Sequence, residues 1–275
     1  MSLRCLPENF SREIAANIDR GLTAICGDNG VVIPLAIESG SRAWGFPSPD
    51  SDYDCRFIFV RPVDQYLSPW PRRDVIETPL VGEMDMNGWD LAKALVLLLK
   101  GNAVIIEWLT SPIVYRGDAR FRDEFLALAA RIADRELIGR HYLHLGERQR
   151  RTYFGDGKDV ALKKLFYALR PAAALRWLRQ RPEQAVAPMH FPTLMRDCDP
   201  PAEVAEIVAE LMGLKAKTRE LGSAPLPEPI RSFVDGEFAM GRAMFEGRQV
   251  RQSKAARLQA EAFFRETLRR LDEQH

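Results

Sequence analysis

Cysteine is scarce in this chain. Its 275 residues include four cysteines, and no two of them form a C-x-x-C pair. This spacing excludes an ordinary zinc ribbon and provides no disulfide framework. Free thiols are typical of a reducing compartment, so we predict a cytoplasmic protein. The four residues are Cys5, Cys26, Cys55 and Cys198.

Long hydrophobic runs are also missing. The longest apolar stretch, around Leu95 to Leu99, is far shorter than the roughly 20 residues that a membrane-spanning helix requires. The first ten residues are polar and contain Pro7, which does not match a signal peptide. We therefore expect no association with a membrane.

Two common nucleotide-binding motifs are absent as well. There is no Gly-x-x-x-x-Gly-Lys-Ser/Thr loop, which argues against a P-loop ATPase. No Gly-x-Gly-x-x-Gly follows a predicted strand, which argues against a dinucleotide oxidoreductase. The formal net charge is only +1, so the protein as a whole is not a general polyanion binder.

The hydrophobic pattern divides the chain into two parts. Before about residue 115, β-branched and alternating segments predict several strands among helices; beyond it, only helical periodicity continues. We predict an α+β fold, with a small mixed-sheet domain at residues 1–117 and an all-helical domain at residues 118–275. The predicted strands cover residues 31–37, 53–60, 74–78 and 81–86.

Charge is distributed unevenly between these parts. Residues 41–90 contain five Lys/Arg and nine Asp/Glu, whereas residues 131–181 contain thirteen Lys/Arg and five Asp/Glu. An acidic half followed by a basic half suggests metal cations in the first and phosphates facing them from the second. The alternative interpretation is that these charges lie on solvated helix faces.

One segment combines the elements that phosphate chemistry needs. A predicted strand ends at Gly40-Ser41, and the next strand begins with Asp52-Tyr53-Asp54. Glycine allows backbone N–H groups to approach an anion closely, and a helix N-terminus adds its dipole. Strand alternation puts both carboxylates on one face, where they suit Mg²⁺ that takes its other ligands from phosphate.

The spacing of this segment resembles the signature of the DNA polymerase beta superfamily of nucleotidyltransferases. The fuller wording, Gly-Ser-Arg-Ala-Trp-Gly followed by Asp-Ser-Asp-Tyr-Asp-x-Arg, resembles one branch more closely. That branch is the predicted nucleotidyltransferases found beside RNA ligases in bacteria and phages. Later stretches that begin at Asn87, Glu107 and Lys163 are similar to the same branch, so the resemblance covers roughly residues 30–180.

The resemblance implies a role for each matching residue. Gly40 and Ser41 match the turn that holds the β- and γ-phosphates, and Asp52 and Asp54 match the metal-binding carboxylates. The superfamily adds a third carboxylate on a neighbouring strand. Glu83 and Asp85 are both available, and we choose Asp85 because its Met-Asp-Met setting places an acid inside an apolar strand.

Basic residues complete the predicted nucleotide site. Arg42 and Arg56 flank the acidic motif, and Arg56 shares a strand face with the acids, where it could contact phosphate or pair with a carboxylate. Lys163, Tyr167 and Arg170 share one face of a helix predicted over residues 160–180. They could hold a triphosphate and stack a base, or they could form a basic solvated face.

The resemblance implies an Mg²⁺-dependent enzyme, with two ions expected and Mn²⁺ as a possible substitute. It would move a nucleoside monophosphate from a nucleoside triphosphate to an acceptor hydroxyl, which we expect to be an RNA end. Transfer of AMP to a protein hydroxyl is the main alternative, and an aminoglycoside-like acceptor is a third. A catalytically silent nucleotide-binding module is the alternative from a different class.

Overall fold

The computed structural model describes residues 2–80, 82–155, 159–219, 222–247 and 253–273. A six-stranded mixed sheet in the N-terminal part is followed by a largely helical C-terminal part, which confirms the predicted α+β fold. The sheet strands are β1 (Ser2–Cys5), β2 (Val32–Glu38), β3 (Tyr53–Val60), β4 (Val75–Glu77), β5 (Met84–Asp90) and β6 (Val114–Asp118). Val160–Ala161 (β7) and Ser223–Ala224 (β8) form a separate pair.

Helices cover both faces of the sheet and make up the C-terminal part. Those in the N-terminal part are α1 (Arg12–Asn29), α2 (Gly40–Trp44), α3 (Val63–Tyr66), α4 (Leu91–Leu99) and α5 (Ala103–Thr110). The later ones are α6 (Ala119–Ile132), α7 (Arg135–Phe154), α8 (Leu165–Gln180), α9 (Phe191–Cys198), α10 (Ala202–Lys217), α11 (Glu228–Phe245) and α12 (Lys254–Asp272).

The strand order in the sheet is β1-β6-β2-β3-β5-β4. Strands β3 and β5 are parallel, and their register pairs Asp54 with Asp85. All other neighbouring pairs in this sheet are antiparallel. Because side chains at paired positions point to the same face of a sheet, these two acids lie side by side.

Alternation along β3 assigns its two faces to different cores. Phe57 and Phe59 pack with α1 in one hydrophobic cluster. Ile58 and Val60 pack on the opposite face, in the cluster that includes α4 and the C-terminal helices. Asp54 has the parity of the second set, so it faces the helical side of the sheet.

Side-chain caps begin several helices where the sequence predicts them. Ser11 accepts a hydrogen bond from the Ile14 N–H, at 3.3 Å. Asp90 accepts one from the Ala92 N–H at 2.8 Å. Asn102 caps α5 in the same way. Each cap satisfies a backbone donor that has no partner within the helix.

Several boundaries differ from the predictions. The fourth predicted strand extends to Asp90, so α4 begins only at Leu91. The predicted helix over residues 160–180 begins at Leu165, after β7 and a 3₁₀ turn at Leu162–Lys164. Strands β1 and β6 were not predicted. Both are short, and each derives its stability from pairing with a distant segment.

The largest hydrophobic core joins the sheet to the C-terminal helices. It runs from Leu35 in β2 to Leu268 in α12. Near its edge, Phe263 packs on Phe125 with ring centroids 5.0 Å apart. The division into domains at residues 117/118 stays a prediction. Within the described ranges, no helix combines the length and apolarity needed to cross a membrane.

Candidate active site

Two acids and one arginine form the centre of the site. The Nη2 atom of Arg56 lies 2.8 Å from Oδ1 of Asp54 and 2.7 Å from Oδ2 of Asp85. Nη1 of Arg56 also donates to the Asp85 carbonyl oxygen at 2.9 Å. The structure therefore brings Asp54 and Asp85 together, and it places Arg56 between them as their shared partner.

Burial governs the protonation of Asp54. Desolvation raises the pKa of its carboxyl group, the nearby Arg56 guanidinium lowers it, and the charges of Asp85 and Asp52 raise it further. The like charges disfavour the charged form of Asp54 because charges of one sign repel in a partly buried site. A cation bound beside Asp54 would favour its charged form.

Asp52 lies just before β3 and is exposed, whereas Asp54 is partly buried. Arg42 holds the backbone beside it, since Nε donates to the Asp52 carbonyl at 3.1 Å and Nη2 to the Ser51 carbonyl at 2.6 Å. The Arg42 guanidinium also lies 3.7 Å from the ring centroid of Tyr53. Arg42, which was predicted to contact the nucleotide, therefore positions the acidic segment through these contacts.

Gly40 makes the closest approach to the acids. Its φ is +59°, and a Cβ at this position would lie 2.0 Å from Oδ2 of Asp54. The Ser39 N–H also donates to the Asp54 carbonyl at 2.8 Å. Only glycine fits here, because any side chain would displace the Asp54 carboxylate.

Ser41 organises the loop that leads to the acids. Its Oγ donates to Oγ of Ser51 at 2.8 Å, and the Ser48 N–H donates to the same atom at 2.9 Å. Ser51 is buried and was not predicted as a site residue. These bonds fold the segment between the Gly-Ser turn and Asp52 into one wall of the site.

Glu38 supports Asp54 from behind. It is fully buried, and its Oε1 accepts a hydrogen bond from the Asp54 N–H at 2.9 Å. Its Oε2 accepts one from the Tyr115 hydroxyl. Desolvation raises the pKa of Glu38 to about 7, against the lowering effect of these two donors. The sequence left the role of Glu38 open, and Tyr115 lies on the strand that was not predicted.

A cleft of about 260 Å³ opens beside these acids. The cleft is lined by Asp52 and Asp54 and by Lys163, Lys164 and Lys215, which we call its acidic wall and its basic wall. Gly40, Ser41, Asp50 and Tyr167 also line this cleft. A lining that carries both carboxylates and ammonium groups suits a ligand that carries both metal and phosphate.

The three residues predicted on one helix face are separated. Lys163 lies on the 3₁₀ turn, and Tyr167 is on the first turn of α8; both line the cleft. Arg170 is buried, with its Nη1 2.7 Å from Oε1 of Glu107 and its guanidinium 4.1 Å from the ring centroid of Trp44. Arg170 is therefore held beneath Trp44 by a buried ion pair and does not line the cleft.

Lys215 is a site residue that the sequence did not indicate. It is buried in α10, and its Nζ donates to the Phe46 carbonyl, 169 positions away, at 2.7 Å. Desolvation lowers the pKa of Lys215 to about 8. An ammonium group has three donors, and within the described residues one hydrogen bond engages it. No local pattern in α10 distinguishes Lys215 from a surface lysine.

The acidic wall fits a divalent cation that shares its ligands with phosphate. Asp52 and Asp54 offer hard oxygen atoms to the cleft, and Arg56 engages one oxygen of Asp54 and one of Asp85. In the described ranges, no group of three or more acidic, histidine or cysteine side chains is arranged to hold a metal alone. A cation would complete its shell with water and phosphate oxygens, as Mg²⁺ commonly does.

Comparisons with known proteins identify the family of this chain. The model of the RNA repair pathway DNA polymerase beta family (RlaP) matches residues 14–266. The chain belongs to this family, which confirms the resemblance to the polymerase beta superfamily and extends it into the C-terminal helices. The chain is also 38% identical over 208 residues to the uncharacterized protein YcgL of Bacillus subtilis (strain 168), covering 76% of this chain and 79% of the relative.

Proposed function

We propose that this protein is an Mg²⁺-dependent nucleotidyltransferase that transfers a nucleoside monophosphate from a nucleoside triphosphate to the hydroxyl group of an RNA end. The observation that carries the proposal is the cleft that Asp52 and Asp54 line together with Lys163, Lys164 and Lys215. Family membership supports the same reaction class.

The acidic wall would hold the metal. Asp52 and Asp54 supply the oxygen ligands, and Asp85 joins them if it exchanges its bond to Arg56 for a metal contact. When bound, Mg²⁺ neutralises phosphate charge and lowers the pKa of the acceptor hydroxyl. Arg56 keeps Asp54 and Asp85 in place and partly balances their charge.

Two of the three lysines of the basic wall would hold the triphosphate. Lys163 and Lys215 donate to phosphate oxygens that the metal leaves free, and the Gly40-Ser41 turn approaches from the other side. The acceptor hydroxyl would release its proton to water, and its oxygen would form a bond to the α-phosphorus. The bond between that phosphorus and the bridging oxygen breaks, and pyrophosphate leaves with the electron pair.

Glu38 and Gly40 fix the geometry of the reaction. The Ser39 N–H donates to the Asp54 carbonyl, and the Asp54 N–H donates to the Glu38 carboxylate, so the backbone of Asp54 is held on both sides. A carboxylate held this way needs little rearrangement before the reaction. Arg170, in this proposal, supports Trp44 from below instead of contacting phosphate.

The proposal is tested with labelled substrates. The protein is incubated with each α-³²P-labelled nucleoside triphosphate and Mg²⁺, with and without single-stranded RNA. We expect label on RNA and release of pyrophosphate. Label on the protein itself would support AMP transfer to a protein hydroxyl. Binding without transfer would support a silent nucleotide-binding module. The lysine wall disfavours a cationic acceptor such as an aminoglycoside.

A further inference from the structure

Aromatic rings continue from the cleft to its rim. Trp44 and Tyr167 line the cleft, with ring centroids 6.1 Å apart and planes at 89°. Tyr153, at the end of α7, lies beside Tyr167 with centroids 5.5 Å apart and planes at 32°. Tyr153 itself does not line the cleft. The rings therefore form a path that leads from the reaction centre outward.

Lys164 lies over the two tyrosines of this path. Its Nζ is 5.2 Å from the centroid of Tyr153 and 5.1 Å from that of Tyr167. These distances are within the range of cation–π attraction. We call Tyr153, Lys164 and Tyr167 the rim platform. It combines flat, partly exposed ring faces with a positive charge.

The size of the cleft suggests that the nucleoside triphosphate and the acceptor bind at different places. A volume of about 260 Å³ is at or below the small end of ligand pockets, which are commonly about 300–1,000 Å³. A nucleoside triphosphate held between the acids and the lysines would occupy this space. The acceptor must then reach the α-phosphorus from outside, and the rim platform offers it Tyr153 beside Lys164 and Tyr167, which line the cleft.

The chemistry of the platform selects among acceptors. Single-stranded nucleic acid presents bases that stack on aromatic rings and phosphates that pair with lysine. A cationic small molecule would be repelled by Lys163 and Lys164. A protein segment gains nothing specific from an ammonium group placed over two tyrosine rings.

We propose that the rim platform binds the terminal nucleotides of a single-stranded RNA acceptor, with one base stacked on Tyr153 and the adjoining phosphate held by Lys164. This inference rests on the proposed function, because it identifies the binding surface for the acceptor of that reaction. It goes further in assigning Tyr153 and Lys164 to the acceptor and not to the nucleoside triphosphate.

The first test compares binding of two ligands by the full chain. Fluorescence anisotropy measures a labelled single-stranded oligoribonucleotide, and calorimetry measures a nucleoside triphosphate with Mg²⁺. Tyr153→Leu should weaken oligoribonucleotide binding by about fivefold to a hundredfold, the usual effect of losing one base–aromatic stack. Tyr153→Phe should retain it, since the ring remains. Triphosphate binding should change less than twofold in both.

The control is Trp70→Leu, which removes an exposed aromatic that does not line the cleft. It should leave both affinities unchanged. Equal oligoribonucleotide affinity in Tyr153→Leu and the parent would overturn the proposal. So would a matching loss of triphosphate affinity, because Tyr153 would then belong to the nucleotide site. If the parent binds triphosphate but no RNA, the platform proposal fails while nucleotidyl transfer to another acceptor stands.

A second test does not depend on a variant that folds. An oligoribonucleotide with a terminal 4-thiouridine is cross-linked to the unmodified protein, and the attached peptide is identified by mass spectrometry. We expect attachment within residues 151–155 or 164–167. Attachment confined to other segments would overturn the proposal even if Tyr153→Leu fails to fold.

Discussion

The two walls of the cleft are built in different ways. The acidic wall comes from neighbouring strands and one short loop, and backbone hydrogen bonds hold it on both sides of Asp54. The basic wall comes from the 3₁₀ turn that precedes α8 and from the last turn of α10. One wall is fixed by local strand geometry, and the other exists only because distant helices pack together.

This difference has consequences for function. Burial raises the pKa of Asp54, and the neighbouring charges of Asp85 and Asp52 add to this effect while Arg56 opposes it. Burial also lowers the pKa of Lys215, and Asp50, which lines the same cleft, partly offsets that lowering. A metal ion bound beside Asp54 and a polyphosphate bound beside Lys215 would each favour the charged form of the side chain it contacts.

The strongest test of the acidic wall is Asp54→Asn. Loss of a metal-binding carboxylate should reduce nucleotide transfer by about a thousandfold or more, since metal assistance supplies several kcal/mol to such reactions. Transfer is measured with labelled nucleotide. Asp52→Asn should behave alike. Asp64→Asn, an exposed acid on α3, is the matched control. Near-parental turnover in either test variant would contradict the metal assignment.

The same Asp54→Asn variant should fold at least as stably as the parent at neutral pH. Asp54 has a raised pKa in the folded state, so its ionised form opposes folding, and this cost is relieved as pH falls. Thermal unfolding at two pH values checks the sign. A large loss of stability would show that activity fell because the protein unfolded.

Comparing Arg170→Ala with Lys163→Ala distinguishes a charge that stabilises the fold from a charge that binds the nucleotide. It leaves Glu107 buried without its partner, and breaking such a pair typically costs about 3–5 kcal/mol of stability. Lys163→Ala should change stability little and weaken nucleotide binding about tenfold. Denaturant unfolding and calorimetry measure the two effects. If Arg170→Ala is fully stable yet binds nucleotide poorly, Arg170 contacts phosphate after all.

Gly40→Ala tests the contact between the turn and the acid. The added Cβ would collide with Oδ2 of Asp54, and a displacement of about 1 Å can cost about a hundredfold in rate. Gly30→Ala is the control, because Gly30 has a similar φ of +57° with nothing within 4 Å of the added Cβ. Equal activity of the two variants would mean that the Asp54 contact does not matter.

Lys215→Met should weaken nucleotide binding by roughly tenfold to a hundredfold at pH 7. Lys217→Met, on the exposed side of the same helix, should have none. Calorimetry with triphosphate and Mg²⁺ measures both. Parental affinity in Lys215→Met would mean that Lys215 only supports the Phe46 loop.

The pH dependence of that binding adds a second measurement. The pKa of Lys215 is about 8 without ligand, so its charge is lost as pH rises above 8. Parental affinity should fall between pH 7 and 9, and affinity of Lys215→Met should be flat. Folding stability should change in the opposite direction, rising in the parent between about pH 8 and 10.5, because the unfolded chain then binds more protons.

Several parts of this architecture follow from the sequence alone. Alternation around Tyr53 to Val60 places Asp54 and Arg56 on one face, and Ser11 and Asn102 cap the helices that follow them. Glycine at position 40 is required by backbone geometry that the motif already indicates. These features depend on residues within a few positions of one another, so local periodicity is sufficient to predict them.

Other parts were decided by tertiary structure. Arg170 shares helical spacing with Tyr167, yet packing under Trp44 and pairing with Glu107 remove it from the cleft. Lys215 enters the cleft although it lies 169 positions from its partner Phe46. Tyr115 reaches Glu38 from β6, a strand that was not predicted and that pairs with the distant segments β1 and β2. Spacing along one element limits which side chains share a face, but the desolvation and charge of each side chain depend on what packs against that face.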